Sequence, residues 1–184
     1  MQAIDEPRVR KWTKDEYYRM ADLGWFRDQR AELVEGDIVV LSPQKFQHGA
    51  ATDRTTQLLR DAMGERFWVR MQLPLDLGEV SEPEPDVSAV AGKREDYTAH
   101  PTTAVLVVEV SDTTLAYDRG KKSLLYAKAG IADYWIADLV HGQVEVRRRP
   151  VAGEYADVRV LKRGETISPL AMPEVTIEVS RLLP

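Results

Sequence analysis

Residues 104–110 read Ala-Val-Leu-Val-Val-Glu-Val, and this run constrains the chain more than any other stretch of it. It is apolar almost throughout and β-branched, the pattern of a strand covered on both faces, so it belongs at the centre of a sheet. Its single charge, Glu109, is the anomaly. A carboxylate is costly to bury alone, so Glu109 either reaches solvent at a strand end or is paired, protonated or bound to a metal. Asp86 is odd in a similar way: it follows Pro85 and precedes Val87-Ser88-Ala89-Val90, at the start of a second short strand, although Asp after Pro also suits a turn. Two carboxylates on neighbouring core strands, 23 residues apart in the chain, are the minimum for holding a hard divalent cation. Such an ion prefers oxygen ligands: carboxylates, a carbonyl, water and substrate phosphate.

The rest of the pattern alternates helix and strand. Thr13 and Glu16 form a capping box that starts a helix running to about Leu23. Arg30–Val34 and Asp37–Leu41 flank Glu35-Gly36 as a β-hairpin. His48 to about Phe67 has helical spacing, with Leu58, Leu59, Ala62 and Met63 on the buried face. Strands are predicted at Trp68–Leu77, Pro85–Ala91, Ala104–Val110, Asp133–Asp138, Gln143–Arg149, Tyr155–Leu161 and Thr176–Val179, with a helix over Arg119–Ala129. That helix is rich in cations: Arg119, Lys121, Lys122 and Lys128 accompany one acid, Asp118. Lys122 shares a face with Leu125, Tyr126 and Ala129, so its ammonium can turn toward the strand ends while its neighbours face water.

Composition removes several classes of function. The 184 residues suffice for one domain, and no repeat or linker divides residues 1–184. There is no cysteine, which excludes disulfides, Cys-ligated zinc, iron–sulfur clusters and thiol catalysis; a cytoplasmic location fits. No apolar run approaches the roughly 20 residues that span a bilayer, and the first seven residues are too polar for a signal peptide. With 25 Lys and Arg against 30 Asp and Glu, the net charge of −5 argues against a strongly basic nucleic-acid binder, but an acidic site and a local basic face can coexist. Tyr134-Trp135 suits packing better than base stacking, and Arg147-Arg148-Arg149 is either a phosphate grip or an exposed hairpin end. His100 and His141 have no ligand spacing, and no glycine-rich phosphate loop is present.

The ordered set RAELVEGDIVVLSP with His48 after it, PEPDVSAV, and VLVVEVSDTTLAYDRGKKSLLYAKAGIADYWIAD resembles the Uma2 family of endonucleases, within the PD-(D/E)XK restriction-endonuclease-like superfamily, over roughly residues 12–150. The resemblance implies an α/β (α+β) fold: a central mixed β-sheet flanked by helices, with an N-terminal helix and β-hairpin. It makes Asp86 the Asp of the PD element and Glu109 the acid of the E-V-S element. Ser111 stands where the superfamily usually has Lys, and Lys122 on the next helix takes that place. Glu32 matches an early Glu of the acidic cluster, His48 a common His near substrate, and Asp112 a position that is often Pro.

What this implies is a nuclease that hydrolyses phosphodiesters of nucleic acid, DNA above all, with Mg²⁺ or Mn²⁺. The ion is expected on Asp86, Glu109 and the carbonyl of Val110. Lys122 orients water and offsets developing charge, and Glu32 holds a second ion or an ordered water. The alternatives are a catalytically degenerate domain that binds nucleic acid or protein, which Ser111 favours, and a hydrolase of some other phosphate ester. A homodimer is expected, since two sites on a two-fold axis can cut two strands. Its surface is sought at Trp12, Tyr17, Tyr18 and Trp25, or at residues 175–183. No membrane partner is expected.

Overall fold

A computed structural model describes residues 9–184; the seven N-terminal residues weighed as a leader lie outside the described residues. Helix α1 (Lys14–Asp22) opens with the expected reciprocal cap: Thr13 Oγ1 accepts from the Glu16 amide, and the Thr13 amide donates to the Glu16 carboxylate. Strands β1 (Arg30–Val34) and β2 (Asp37–Leu41) pair antiparallel, Val34 opposite Asp37. Glu35 and Gly36 have φ of 51° and 76°, as a two-residue turn matched to strand twist requires. Helix α2 (Phe46–Met63) begins two residues earlier and ends sooner than its apolar spacing suggests, at Gly64.

The main sheet has the order β3 (Phe67–Met71), β4 (Val87–Ala91), β5 (Leu106–Ser111), β6 (Asp133–Asp138), β7 (Gln143–Val151), β8 (Glu154–Lys162). Neighbours are antiparallel except β5 and β6, which are parallel. A parallel pair needs a crossover, and residues 115–128 supply it: α3 (Leu115–Tyr117), a π-helical turn over Asp118–Lys122, and α4 (Ser123–Lys128). One face of the sheet carries Val87, Ala89, Val108 and Trp135 against α2. The other carries Val107, Tyr134 and Ile136 against Tyr126 and Ala127 of α4. β5 is therefore buried on both faces, as its composition demands.

Several expectations are corrected here. The regular strand expected over Trp68–Leu77 stops at Met71, where Gln72 turns to φ 51°, although the amides of Gln72, Leu75 and Leu77 still donate to the carbonyls of Asp86, Pro83 and Ser81. The crossover helix starts at Leu115, not Arg119. Thr166–Ile167 (β9), which carries no clear strand signal, pairs with Ile177–Glu178 (β10) in a small second sheet. The packing reading of Tyr134-Trp135 holds, since both are wholly buried, on opposite faces. Arg147 and Arg148 are spent on Glu145 and Asp133 and do not form a phosphate grip. Neither surface sought for a dimer is free as a whole: Tyr17 donates to the Ala31 carbonyl and Tyr18 to Glu82, while Val179, Leu182 and Leu183 fill the core against α2.

Candidate active site

The register of β4 and β5 explains the 23-residue spacing of the two acids. Val87 faces Val108 in an antiparallel pair, so the preceding Asp86 comes to lie beside the following Glu109. The contact is direct: the Asp86 amide donates to Glu109 Oε2 at 3.2 Å, and the Val110 amide donates to Asp86 Oδ2 at 2.9 Å. Both line a cleft of about 320 Å³ whose walls also include His48, Glu84, Asp118 and Lys122.

Lys122 comes from the π-helical turn, and its ammonium sits between two acids, 2.9 Å from Glu109 Oε1 and 3.3 Å from Glu32 Oε2. A π-turn widens the helix by one residue, a feature that recurs at functional sites. Here it brings Lys122 onto the same carboxylate as Tyr126, whose hydroxyl donates to Glu109 Oε1 at 2.7 Å. Glu32 stands behind this ammonium. It is wholly buried, is absent from the cleft wall, accepts from the Glu84 amide at 3.0 Å, and takes a longer bond from the Tyr117 hydroxyl. That position suits holding Lys122 rather than meeting an ion in the cleft. His48, in the first turn of α2, places Nε2 3.3 Å from Asp86 Oδ2, with Thr52 beside its Nδ1.

Charge is out of balance in this cluster. Glu32, Asp86, Glu109 and Asp118 crowd about one buried ammonium. Burial pushes the Glu109 carboxyl up to about 8 despite the pull of Lys122, and the neighbouring Asp86 and Asp118 add to the rise. Burial also raises Asp118. Asp86 resists the same burial because His48 bonds to it, and it stays below the ordinary carboxylate range. Lys122 would be depressed by burial, but Glu109 and Glu32 hold it well above the usual lysine range.

These donors fit a hard divalent cation. Two carboxylates stand side by side at the cleft, and Asp86 and Asp118 add to the rise that burial imposes on Glu109. The Val110 backbone borders the pair, its amide donating to Asp86. Among the described residues no three His, Asp or Glu side chains gather tightly enough to hold an ion alone. An ion here would therefore draw on Asp86, Glu109 and the Val110 carbonyl, with solvent or phosphate completing its shell, the usual habit of Mg²⁺. Glu32 offers no second ion a place on the cleft wall.

Three residues of the site escape sequence reasoning. Gln72 donates to Asp86 Oδ1 at 3.2 Å from a left-handed backbone conformation, which no sequence signal marks. Tyr126 reads simply as a core aromatic. Asp118 reads as the lone acid of a basic run, yet it is buried and accepts from Ser111 at 2.6 Å and Thr114 at 2.7 Å. Ser111, at the place of the superfamily's usual Lys, thus serves Asp118. His100 lies toward Glu82 and His141 on Asp138, both outside this cleft.

A central mixed sheet crossed by one helix, with two acids opposed on adjacent strands and a lysine delivered from the crossover, defines a restriction-endonuclease-like protein. The family model for Uma2, described as "Putative restriction endonuclease", matches residues 15–180, and the chain belongs to that family. Among solved structures it is similar to a putative nuclease of DUF820 from Anabaena variabilis ATCC 29413, with a TM-score of 0.74 at 16% identity, covering 92% of this chain and 96% of that one; at this identity the likeness establishes the fold. No curated protein matches the chain.

Proposed function

We propose that the protein is a metal-dependent nuclease that hydrolyses phosphodiester bonds of DNA in the Asp86–Glu109–Lys122 cleft. The observation that carries this reading is the opposition of Asp86 and Glu109 across β4 and β5 with the Lys122 ammonium 2.9 Å from Glu109. Phosphodiester cleavage needs negative charge offset at the phosphate and a proton taken from water. Mg²⁺ or Mn²⁺, when bound, supplies Lewis acidity for both needs. The chain's own residues do the remainder. Asp86 and Glu109 present their oxygens to one side of the cleft, and the hydrogen bonds from Val110, Gln72 and Tyr126 fix those oxygens in place. Lys122, kept charged by Glu109 and Glu32, faces the reacting phosphate as a fixed cation. His48 holds Asp86 ionised.

The degenerate-domain alternative rests on Ser111 in place of lysine. Its weight falls once Lys122 occupies the cleft, because the missing cation is supplied from the next helix. Thermal unfolding during Mn²⁺ titration tests the reading: binding to the native state alone raises stability by mass action. Saturable stabilisation that vanishes in Asp86→Asn is expected. No stabilisation at millimolar metal, together with intact DNA, would transfer the assignment to the degenerate reading.

A further inference from the structure

We infer that the free edge of β8 is a self-association surface, and that its partner is the same strand of a second copy, joined antiparallel about a two-fold axis at Val158. β8 is the last strand of the main sheet, and eight of its nine residues pair with β7, on one side alone. Among the described residues, the main chain of residues 155–161 makes no hydrogen bond to any element other than β7. An edge of this length exposes a row of unpaired donors and acceptors, which is a template for another strand. Proteins that keep such an edge unpaired commonly blunt it with charges, proline, a bulge or very short length; this strand carries charges of both signs, has no proline and keeps one unbroken register against β7 from Asp157 to Lys162.

The side chains select the partner. β8 reads Glu154-Tyr-Ala-Asp-Val-Arg-Val-Leu-Lys162. Turned antiparallel about Val158, it sets Glu154 opposite the second copy's lysine at 162 and Asp157 opposite its arginine at 159. Each of these pairs occurs twice by symmetry. Val158 meets itself, Ala156 meets valine at 160, and Tyr155 meets leucine at 161. Opposite charges directly across an antiparallel pair stabilise it and like charges oppose it. The neighbouring registers are penalised accordingly: sliding by two residues sets Asp157 against Asp157 or Arg159 against Arg159. The free strand also leaves apolar surface in water, with Val158 48% and Val160 46% exposed. In one copy Asp157 and Arg159 lie 3.3 Å apart, so they neutralise each other until a partner arrives. An isologous contact of this kind closes as a dimer and does not propagate. The interface is small, so a reversible equilibrium is expected.

The chain has no cysteine, which permits a clean test with the 184-residue chain. Val158→Cys, oxidised at roughly 100 µM, a concentration suited to a small interface, should give a covalent species of twice 20.8 kDa. Val140→Cys, in the β6–β7 turn off the β8 edge and 61% exposed, should not. Equal cross-linking of both variants, or none of V158C while its circular dichroism is native, overturns the proposal. Charge supplies the second arm. D157R alone and R159D alone place like charges across the axis, and each should sediment as a monomer. Mixed together they become complementary and should form a heterodimer. A mixture that stays monomeric, or single variants that dimerise as well as the parent, overturns the register.

Discussion

Glu109 decides most at the scale of single residues. Its partner Lys122 also has Glu32 within 3.3 Å, so Glu109→Gln does not strand an ammonium without a counter-charge. The change also removes a carboxylate held near 8 by burial, so the metal-free variant should be as stable as the parent or more so, and should lose its response to Mn²⁺; chemical denaturation reads both. A pH series sharpens this. The unfolded chain releases this proton near 4.5 and the folded chain only near 8, so the unfolded state holds fewer protons between those values. The contribution of Glu109 to stability is therefore complete below about pH 4.5 and is lost as the pH rises to about 8. The stability difference between E109Q and the parent should widen across that window, and a constant difference would contradict the assignment. Arg70 is a second anomaly. Its guanidinium is buried, lies over the Trp68 ring at 4.9 Å and has no carboxylate beside it; Nη2 donates to the Pro74 carbonyl, while Nε, Nη1 and the facing Ser88 hydroxyl have no hydrogen-bond partner among the described residues. Arg70→Met should raise stability by up to about 1 kcal/mol in thermal unfolding, because a buried charge with no counter-ion and two unsatisfied donors is replaced by an apolar chain of similar length, offset in part by the lost contact with Trp68. Glu109 and Asp86 are legible in the sequence because a charge in an apolar strand must be explained. Arg70 and Gln72 are not, since both look like ordinary members of an alternating strand until the turn at Gln72 is seen.

Among elements, the hairpin and the crossover place the site. Gly36 closes the β1–β2 turn at φ 76°, and a Cβ there would meet Lys11 Cβ at 2.5 Å. Gly36→Ala should cost about 1–2 kcal/mol in an unfolding titration, because the position is both strained and crowded. Gly120 in the π-helical turn has an ordinary φ and open space around its missing Cβ, so Gly120→Ala should add up to about 1 kcal/mol through helix propensity. Opposite signs at the two glycines would confirm that the hairpin turn needs a glycine and the crossover does not. The hairpin was readable from its Glu-Gly turn and the α1 start from its capping box, since both signals are local. The end of β3, the start of α3 and the β9 strand were not, because they depend on contacts made far along the chain, whereas β10 falls inside the strand expected at Thr176–Val179. The π-turn has no local signature at all; the position of Lys122 was readable from its spacing to Leu125 and Tyr126, whereas its sharing of Glu109 with Tyr126 was visible only in three dimensions.

For the whole molecule, the mixed sheet and its one parallel crossover bring acids from two strands and a lysine from a helix to one cleft, while the C-terminal segment and α2 close the opposite face. The net charge of −5 makes long-range attraction of DNA weak, so binding should be modest and sensitive to salt. The central claim is that this cleft cleaves phosphodiesters with a divalent cation held by Asp86 and Glu109. Its most direct measurement is cleavage of end-labelled single- and double-stranded DNA by the purified protein in Mg²⁺ or Mn²⁺, beside Asp86→Asn, Lys122→Met and a chelator control. Strand scission that needs the metal and falls by about 10² or more in both variants is predicted. Cleavage that survives Asp86→Asn or the chelator, or no cleavage by a protein that still binds the ion, would contradict it.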